Sequence, residues 1–172
     1  MGKQPFLLSV TALRRTPGAR RRETRRGAIP GLVVTSGAVP ADAEVAVDVV
    51  LELVDGGIVA TGSITAPYVG ECRRCLGPVY GTIEADVREV YQPNVSPDEA
   101  EEIYPLLGDQ LDLEPLARDA VLLELPLAPL CREGCLGLCP TCGANLNEGS
   151  CGCRSFAPDP RWEGLDALRT DT

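Results

Sequence analysis

The chain has 172 residues, 16 Lys and Arg against 25 Asp and Glu, no histidine, and a formal net charge of -9. That length supports one domain with appendages, and with one Trp, two Phe and four Tyr its core must be filled by Val, Leu, Ile and Ala. The lack of histidine removes the usual general base near neutral pH, and eight cysteines point instead to soft-metal ligation.

The charge is divided along the chain. Residues 1–26 hold eight Lys and Arg and a single acid, Glu23, for a net +7. Residues 27–172 hold eight Arg and twenty-four acids, for a net -16. The run from Arg14 to Arg26 has no apolar periodicity and reads as a basic, flexible N-terminal segment. Such asymmetry points to a polyanion or a highly charged partner. No membrane segment is expected, because the apolar stretch Val121–Leu130 is short and broken by Glu124, Pro126 and Pro129. A secretory signal is not expected either, since the arginines follow the apolar run Phe6–Leu13. Phe6 stands where a myristoylation motif needs Ser or Thr. The expected location is cytoplasmic, where thiol pairs favour metal over disulfide.

A β-rich body is predicted over residues 27–130. Gly31–Val39 is one candidate strand, and Val45–Val54 is a second whose Asp48 and Glu52 leave one face apolar. Asp55-Gly56-Gly57 supplies a hairpin turn, and Ile58–Thr65 returns antiparallel, running on through Glu71 into Cys72-Arg-Arg-Cys75. Val79–Tyr91 alternates as the next strand, which places the first thiol pair at a hairpin tip. The acidic, proline-punctuated stretch Gln92–Gln110 reads as a loop. Asp112 is placed to cap a helix over about 112–125, with Pro115 in its first turn and Pro126 ending it. Leu113, Leu116, Ala117, Ala120 and Leu123 are its expected docking face. A Cys-rich segment, 131–153, follows. A tail, 154–172, carries a short final helix over Asp159–Leu168, docked by Trp162, Leu165 and Leu168. The fold class is α+β: a mostly antiparallel β body with one main helix and four-cysteine zinc knuckles.

Eight cysteines make two sets of four, and two structural Zn²⁺ ions are the expected cofactors. The ligands would be Cys72, Cys75, Cys131, Cys135, Cys139, Cys142, Cys151 and Cys153. Cys139-Pro-Thr-Cys142-Gly143 is the most specific piece, because Gly143 permits the tight turn that brings backbone N–H groups onto sulfur. Cys151 and Cys153 lie close enough in sequence to complete that tetrahedron, leaving Cys72, Cys75, Cys131 and Cys135 as a non-local site. Locality favours this division. Two others stand beside it: Cys72 and Cys75 with Cys151 and Cys153, or Cys72 and Cys75 with Cys139 and Cys142. Arg73, Arg74, Arg132 and Arg154 lie next to thiols and would offset their charge. Disulfides, a thioredoxin-like redox pair and iron–sulfur ligation are the competing uses of the same residues.

The hairpin ending Glu71-Cys-Arg-Arg-Cys-Leu-Gly-Pro78, the helix leading into Leu125-Pro-Leu-Ala-Pro-Leu-Cys131, and the run Gly137–Cys153 together resemble the YceD family, the large ribosomal RNA subunit accumulation proteins. The likeness spans roughly residues 5–168, including Arg14-Arg-Thr-Pro-Gly18 and Asp159-Pro-Arg-Trp162. It implies a non-enzymatic ribosome biogenesis factor of bacterial or plastid type, supporting synthesis, processing or stability of 23S ribosomal RNA, with no catalytic residues. Some members lack a late knuckle while keeping the first thiol pair, which implies two separable sites. The expected partners are ribosomal RNA or a pre-ribosomal particle, and a basic large-subunit ribosomal protein; no membrane is expected. Arg14, Arg15, Arg20, Arg21, Arg22, Arg25 and Arg26 are the candidate phosphate contacts. Without aromatic residues in that tail, sequence-specific RNA reading is not expected. The alternative is a zinc-dependent protein-binding module whose acidic body shields a basic ribosomal protein. An enzyme is disfavoured, since all-cysteine zinc sites leave no open coordination position.

Overall fold

A computed structural model describes residues 4–16, 18–93, 95, 103–153 and 161. Period-2 alternation builds its centre. In β5 (Val45–Val54), Val45, Val47, Val49 and Leu51 are buried while Asp48, Val50 and Glu52 turn outward. Asp55-Gly56 reverses the chain, with Gly56 at φ 89°, into β6 (Gly57–Glu71). A second hairpin leads to β7 (Pro78–Gln92), and β6 and β7 pair along their whole lengths from Ile58 with Tyr91 to Glu71 with Pro78. This long ribbon carries the first thiol pair on its far tip.

The seven-stranded sheet has β5, β6 and β7 at its centre. Strand β2 (Arg20–Gly27) flanks β5, and the small hairpin β3 (Val33–Val34) with β4 (Gly37–Ala38) joins the outer part of β6. Strand β8 (Tyr104–Pro105) lies parallel to the end of β7. One sheet face is covered by α2 (Glu114–Glu124), packed on β6 and β7, and by a separate pair formed from β1 (Leu7–Ser9) and β9 (Gln110–Asp112). Phe6, Leu8, Val10 and Leu13, the last in the short helix α1 (Thr11–Arg14), join Val45, Val47, Leu111, Leu116 and Val121 in one core. A small satellite cluster of Cys72, Val79 and Cys135 sits at the ribbon tip. The molecule is α+β, mostly antiparallel.

Three expectations are corrected. The segment 1–26 was expected as a flexible basic tail, but most of its described part is built in. Arg20 to Gly27 pair residue by residue with Glu52 to Val45, and their exposure alternates along the strand. Ion pairs make this possible: Arg22 grips Asp48 through two hydrogen bonds of 2.8 and 2.7 Å, and Arg20 reaches Glu52 at 2.8 Å. On the opposite face Glu23 lies between Arg21 and Arg25, both at 2.7 Å. Arg21 Nε meets Glu23 off its N–H axis, so that contact is ionic, while Arg21 Nη2 donates to the Ser9 carbonyl at 2.9 Å.

The helix face is also corrected. Leu123 is 85% exposed, and Val121 is buried in its place. The stripe follows steps of four, Leu113, Ala117, Val121 and Leu125, with Leu116 beside it and Ala120 at its margin. Asp112 serves the helix start by accepting the Glu114 N–H at 2.9 Å. The stretch expected as a loop over 92–110 contains β8 and the start of β9. Tyr104 of β8 stacks on buried Tyr91, with ring centroids 5.3 Å apart, and Tyr91 donates to the Asp112 carbonyl at 3.1 Å. Arg154 and the final helix with Trp162, Leu165 and Leu168 lie outside the described residues.

The two helix leucines test this packing. Leu116→Ala is expected to cost about 2–5 kcal/mol, and Leu123→Ala to stay within about 0.5 kcal/mol, in denaturant unfolding at fixed metal content.

Candidate metal centres

Two knuckles share one backbone logic. In the first, the Cys72 N–H donates to Gly77 O at 2.8 Å and the Leu76 N–H to Cys72 O at 2.9 Å, folding the tip of the β6–β7 ribbon back on itself. In the second, the Gly143 N–H donates to Cys139 O at 2.8 Å. The residue after the second cysteine is left-handed in both: Leu76 at φ 57° and Gly143 at φ 74°. Leucine there costs about 1–2 kcal/mol that glycine does not, so something must hold the first tip in place.

What holds it is the segment after α2. The Arg73 N–H donates to Pro129 O at 3.0 Å, the Leu138 N–H to Arg74 O at 3.0 Å, and Arg74 Nη1 to Cys135 O at 2.8 Å. These contacts bring Cys131 and Cys135 onto Cys72 and Cys75. The four Sγ atoms lie within 4.8 Å of one another, with Cys72 to Cys135 at 3.7 Å and Cys75 to Cys131 at 3.6 Å. Cys139, Cys142, Cys151 and Cys153 gather within the same limit. The structure therefore groups the thiols in the local-plus-non-local division, not in either interleaved one.

The donor set can be tested against the ions it would suit. Four sulfurs at about 2.3 Å from a tetrahedral Zn²⁺ stand about 3.8 Å apart, close to the two spacings above. A disulfide needs about 2.05 Å, and all eight cysteines are free thiols. A four-iron cluster binds each cysteine to a different iron and so spreads its sulfurs wider. Each group thus fits a single tetrahedral, thiophilic ion. Cys72, Cys75, Cys131 and Cys135 would hold one, and Cys139, Cys142, Cys151 and Cys153 another.

The surroundings prepare the thiolates. Backbone N–H groups of Cys131 and then Cys75 bring the Cys72 thiol down to about 6, and those of Cys142 and Thr141 do the same for Cys139. Without a cation four charges cannot share so small a volume. Cys131, hydrogen-bonded to Cys135, and Cys153, hydrogen-bonded to Cys142, are pushed up to about 12. The groups differ in cover: Cys72 and Cys135 are buried, whereas only Cys139 is buried in the late group. Of the neighbouring arginines, Arg74 and Arg132 bond to a carbonyl and to Asn147 Oδ1. Asn147, which lies between Cys142 and Cys151 in the chain, points its Nδ2 at Cys135 Sγ at 3.4 Å.

The candidate phosphate-binding arginines are dispersed and largely occupied. Arg14 pairs with Asp109 at 2.7 Å, and Arg20, Arg21, Arg22 and Arg25 are paired as described above. The bond to Arg22 holds the Asp48 carboxyl below its usual range. Among the described residues Arg15 and Arg26 have no ion pair. The open sheet face carries a shallow groove of about 600 Å³ whose charges, Arg22 and Arg88 against Asp48 and Asp86, balance.

Cys72→Ser is expected to remove one bound ion and unlock residues 72–77, while Cys142→Ser removes one ion and leaves that tip protected; elemental analysis with hydrogen exchange separates the two. Because Cys131 and Cys153 must shed protons on ligation, metal uptake is expected to release protons, and apparent affinity to rise with pH from about 6 upward. Proton release in a weakly buffered titration checks the sign.

The chain is 42% identical over 122 residues to an uncharacterised protein of Mycobacterium tuberculosis, covering 69% of this chain and 58% of the relative. It is 32% identical over 149 residues to an uncharacterised protein of Mycobacterium leprae, covering 83% of this chain and 68% of that one. It spans a little under three fifths of the Mycobacterium tuberculosis protein it matches. A chloroplastic large ribosomal RNA subunit accumulation protein YCED homolog 1 of Zea mays is 42% identical over 52 residues, 30% of this chain and 18% of that protein. No solved structure matches. The profile described as large ribosomal RNA subunit accumulation protein YceD matches residues 60–169, which take in most of the long hairpin, α2 and both cysteine groups, and the chain belongs to the YceD family.

Proposed function

We propose that this protein is a cytoplasmic, non-enzymatic ribosome biogenesis factor that supports accumulation of 23S ribosomal RNA, with a structural Zn²⁺ in each cysteine group. The observation that carries this reading is membership of a family described by large ribosomal RNA subunit accumulation, in a chain whose two thiol groups each offer a complete set of four ligands. A tetrahedral zinc with four cysteines has no position left for water or substrate, so its work is to fix shape. The ion supplies cross-linking; the chain's own residues supply the surface that docks.

The pairing of Arg14, Arg20, Arg21, Arg22 and Arg25 favours a protein partner over an extended RNA contact. With those arginines paired to acidic side chains, the chain keeps a net charge of -9, which attracts a basic large-subunit ribosomal protein. RNA contact through all seven arginines would give a log-affinity against log-salt slope of roughly -5 on a single strand, whereas Arg15 and Arg26 alone give roughly -1.4.

Depletion in the native host is expected to lower large-subunit ribosomal RNA relative to small-subunit RNA; an unchanged ratio contradicts the proposed role. Nuclease-treated capture is expected to retain a basic ribosomal protein, and direct RNA titrations to show a slope nearer roughly -1.4 than roughly -5. A slope near the steeper value would return the arginines to the RNA interface.

A further inference from the structure

Asn147 belongs by sequence to the late cysteine group, lying between Cys142 and Cys151, yet its side chain serves the first. Its Oδ1 accepts the Leu136 N–H at 2.9 Å and Arg132 Nη2 at 2.6 Å. Neither nitrogen can accept in return, so the amide orientation is fixed and the NH₂ faces Cys135 Sγ at 3.4 Å and Asn145 Oδ1 at 2.8 Å. The loop bearing Asn147 is laid against the first group by its backbone. The Leu146 N–H donates to Gly137 O at 2.9 Å, the Cys139 N–H to Ala144 O at 2.8 Å, and Leu138 bridges to Asn145. The same 135–138 stretch carries the bonds to Arg74 in the first knuckle. A continuous path of hydrogen bonds thus joins the knuckles.

We propose that Asn147 is a positioning residue that couples the two metal centres: ligation by Cys139, Cys142, Cys151 and Cys153 closes the loop that aims its amide at Cys135, and this N–H···S bond tightens ligation at Cys72, Cys75, Cys131 and Cys135. An N–H aimed at a ligand sulfur stabilises the thiolate form and fixes its direction, and loss of such a partner typically lowers metal affinity about 10–100-fold. Coupling of this kind is reciprocal, so an ion in the first group favours closure of the second. The inference rests on both groups being metal centres.

Asn147→Asp keeps an oxygen for the Leu136 N–H and Arg132 while removing the NH₂ that faces Cys135 Sγ and Asn145 Oδ1. The full chain binds two Zn²⁺ in chelator competition, and Asn147→Asp is expected to weaken one of them about 10–100-fold. Its Co²⁺ derivative is expected to show a shifted thiolate-to-metal charge-transfer band. Removing the late group with Cys142→Ser and Cys153→Ser weakens the first centre alone, and adding Asn147→Asp there has little further effect. In the late-group-only protein, made with Cys75→Ser and Cys131→Ser, Asn147→Asp leaves affinity unchanged. Two bound ions with first-centre affinity and spectrum indifferent to Asn147→Asp overturn the coupling alone, as does an equal loss in both single-centre proteins. A full chain that binds no metal overturns the coupling together with the metal reading beneath it.

Discussion

The convergence of four sulfurs from two distant stretches is the constraint on which the rest of the structure depends. Cys72 and Cys135 are 63 residues apart in sequence and Cys75 and Cys131 are 56, yet each pair meets within 3.7 Å. Closing a loop of that length has an entropic cost that grows only slowly with its size, so a single strong joint suffices. Among the described residues the apolar contacts at this end are few: the satellite cluster is Cys72, Val79 and Cys135, with Tyr68 and Leu130 partly buried against it. The main core, by contrast, is built from more than twenty aliphatic and aromatic side chains under α2 and the β1–β9 pair. One end of the molecule is held by hydrophobic burial; at the other, hydrogen bonds gather four sulfurs that a metal ion would cross-link.

This division organises the surface. The long β6–β7 ribbon projects a rigid tip, the segment from Pro129 to Asn147 is laid against it, and the left-handed Leu76 shows how tightly that tip is turned. Strain at such a residue persists only where the surroundings over-determine it. Charge is arranged with similar economy. Arginines that look like an arm for polyanions are drawn onto Asp48, Glu52, Glu23 and Asp109, which makes β2 a tolerable edge strand. A shape that ligation at the two cysteine groups would fix, with a net charge of -9, suits the role in assembly proposed above.

Much of this was legible in the sequence where the information is local. The alternation Val45 to Val54, the Asp55-Gly56 turn and the CxxC spacings each specify their own structure, as does Asp112 before Pro115. Strand β2 was not legible, because a run of arginines reads as solvated chain until its distant partners Asp48 and Glu52 are known. Two-residue β8 is too short for any periodicity and exists because Tyr104 stacks on Tyr91. The helix stripe was displaced by one choice, Leu123 for Val121, since an apolar residue fits either side of a pattern until the sheet selects a face. The role of Asn147 was not legible: spacing cannot reveal that a side chain of one loop completes the surroundings of another's sulfur.

X-ray absorption at the zinc edge of anaerobically purified full-length protein tests the central claim most directly. The account predicts two zinc ions per chain, each seen as four sulfur neighbours at about 2.3 Å with no nitrogen or oxygen ligand. Folded protein without zinc, or zinc with lighter ligands in its first shell, would contradict it.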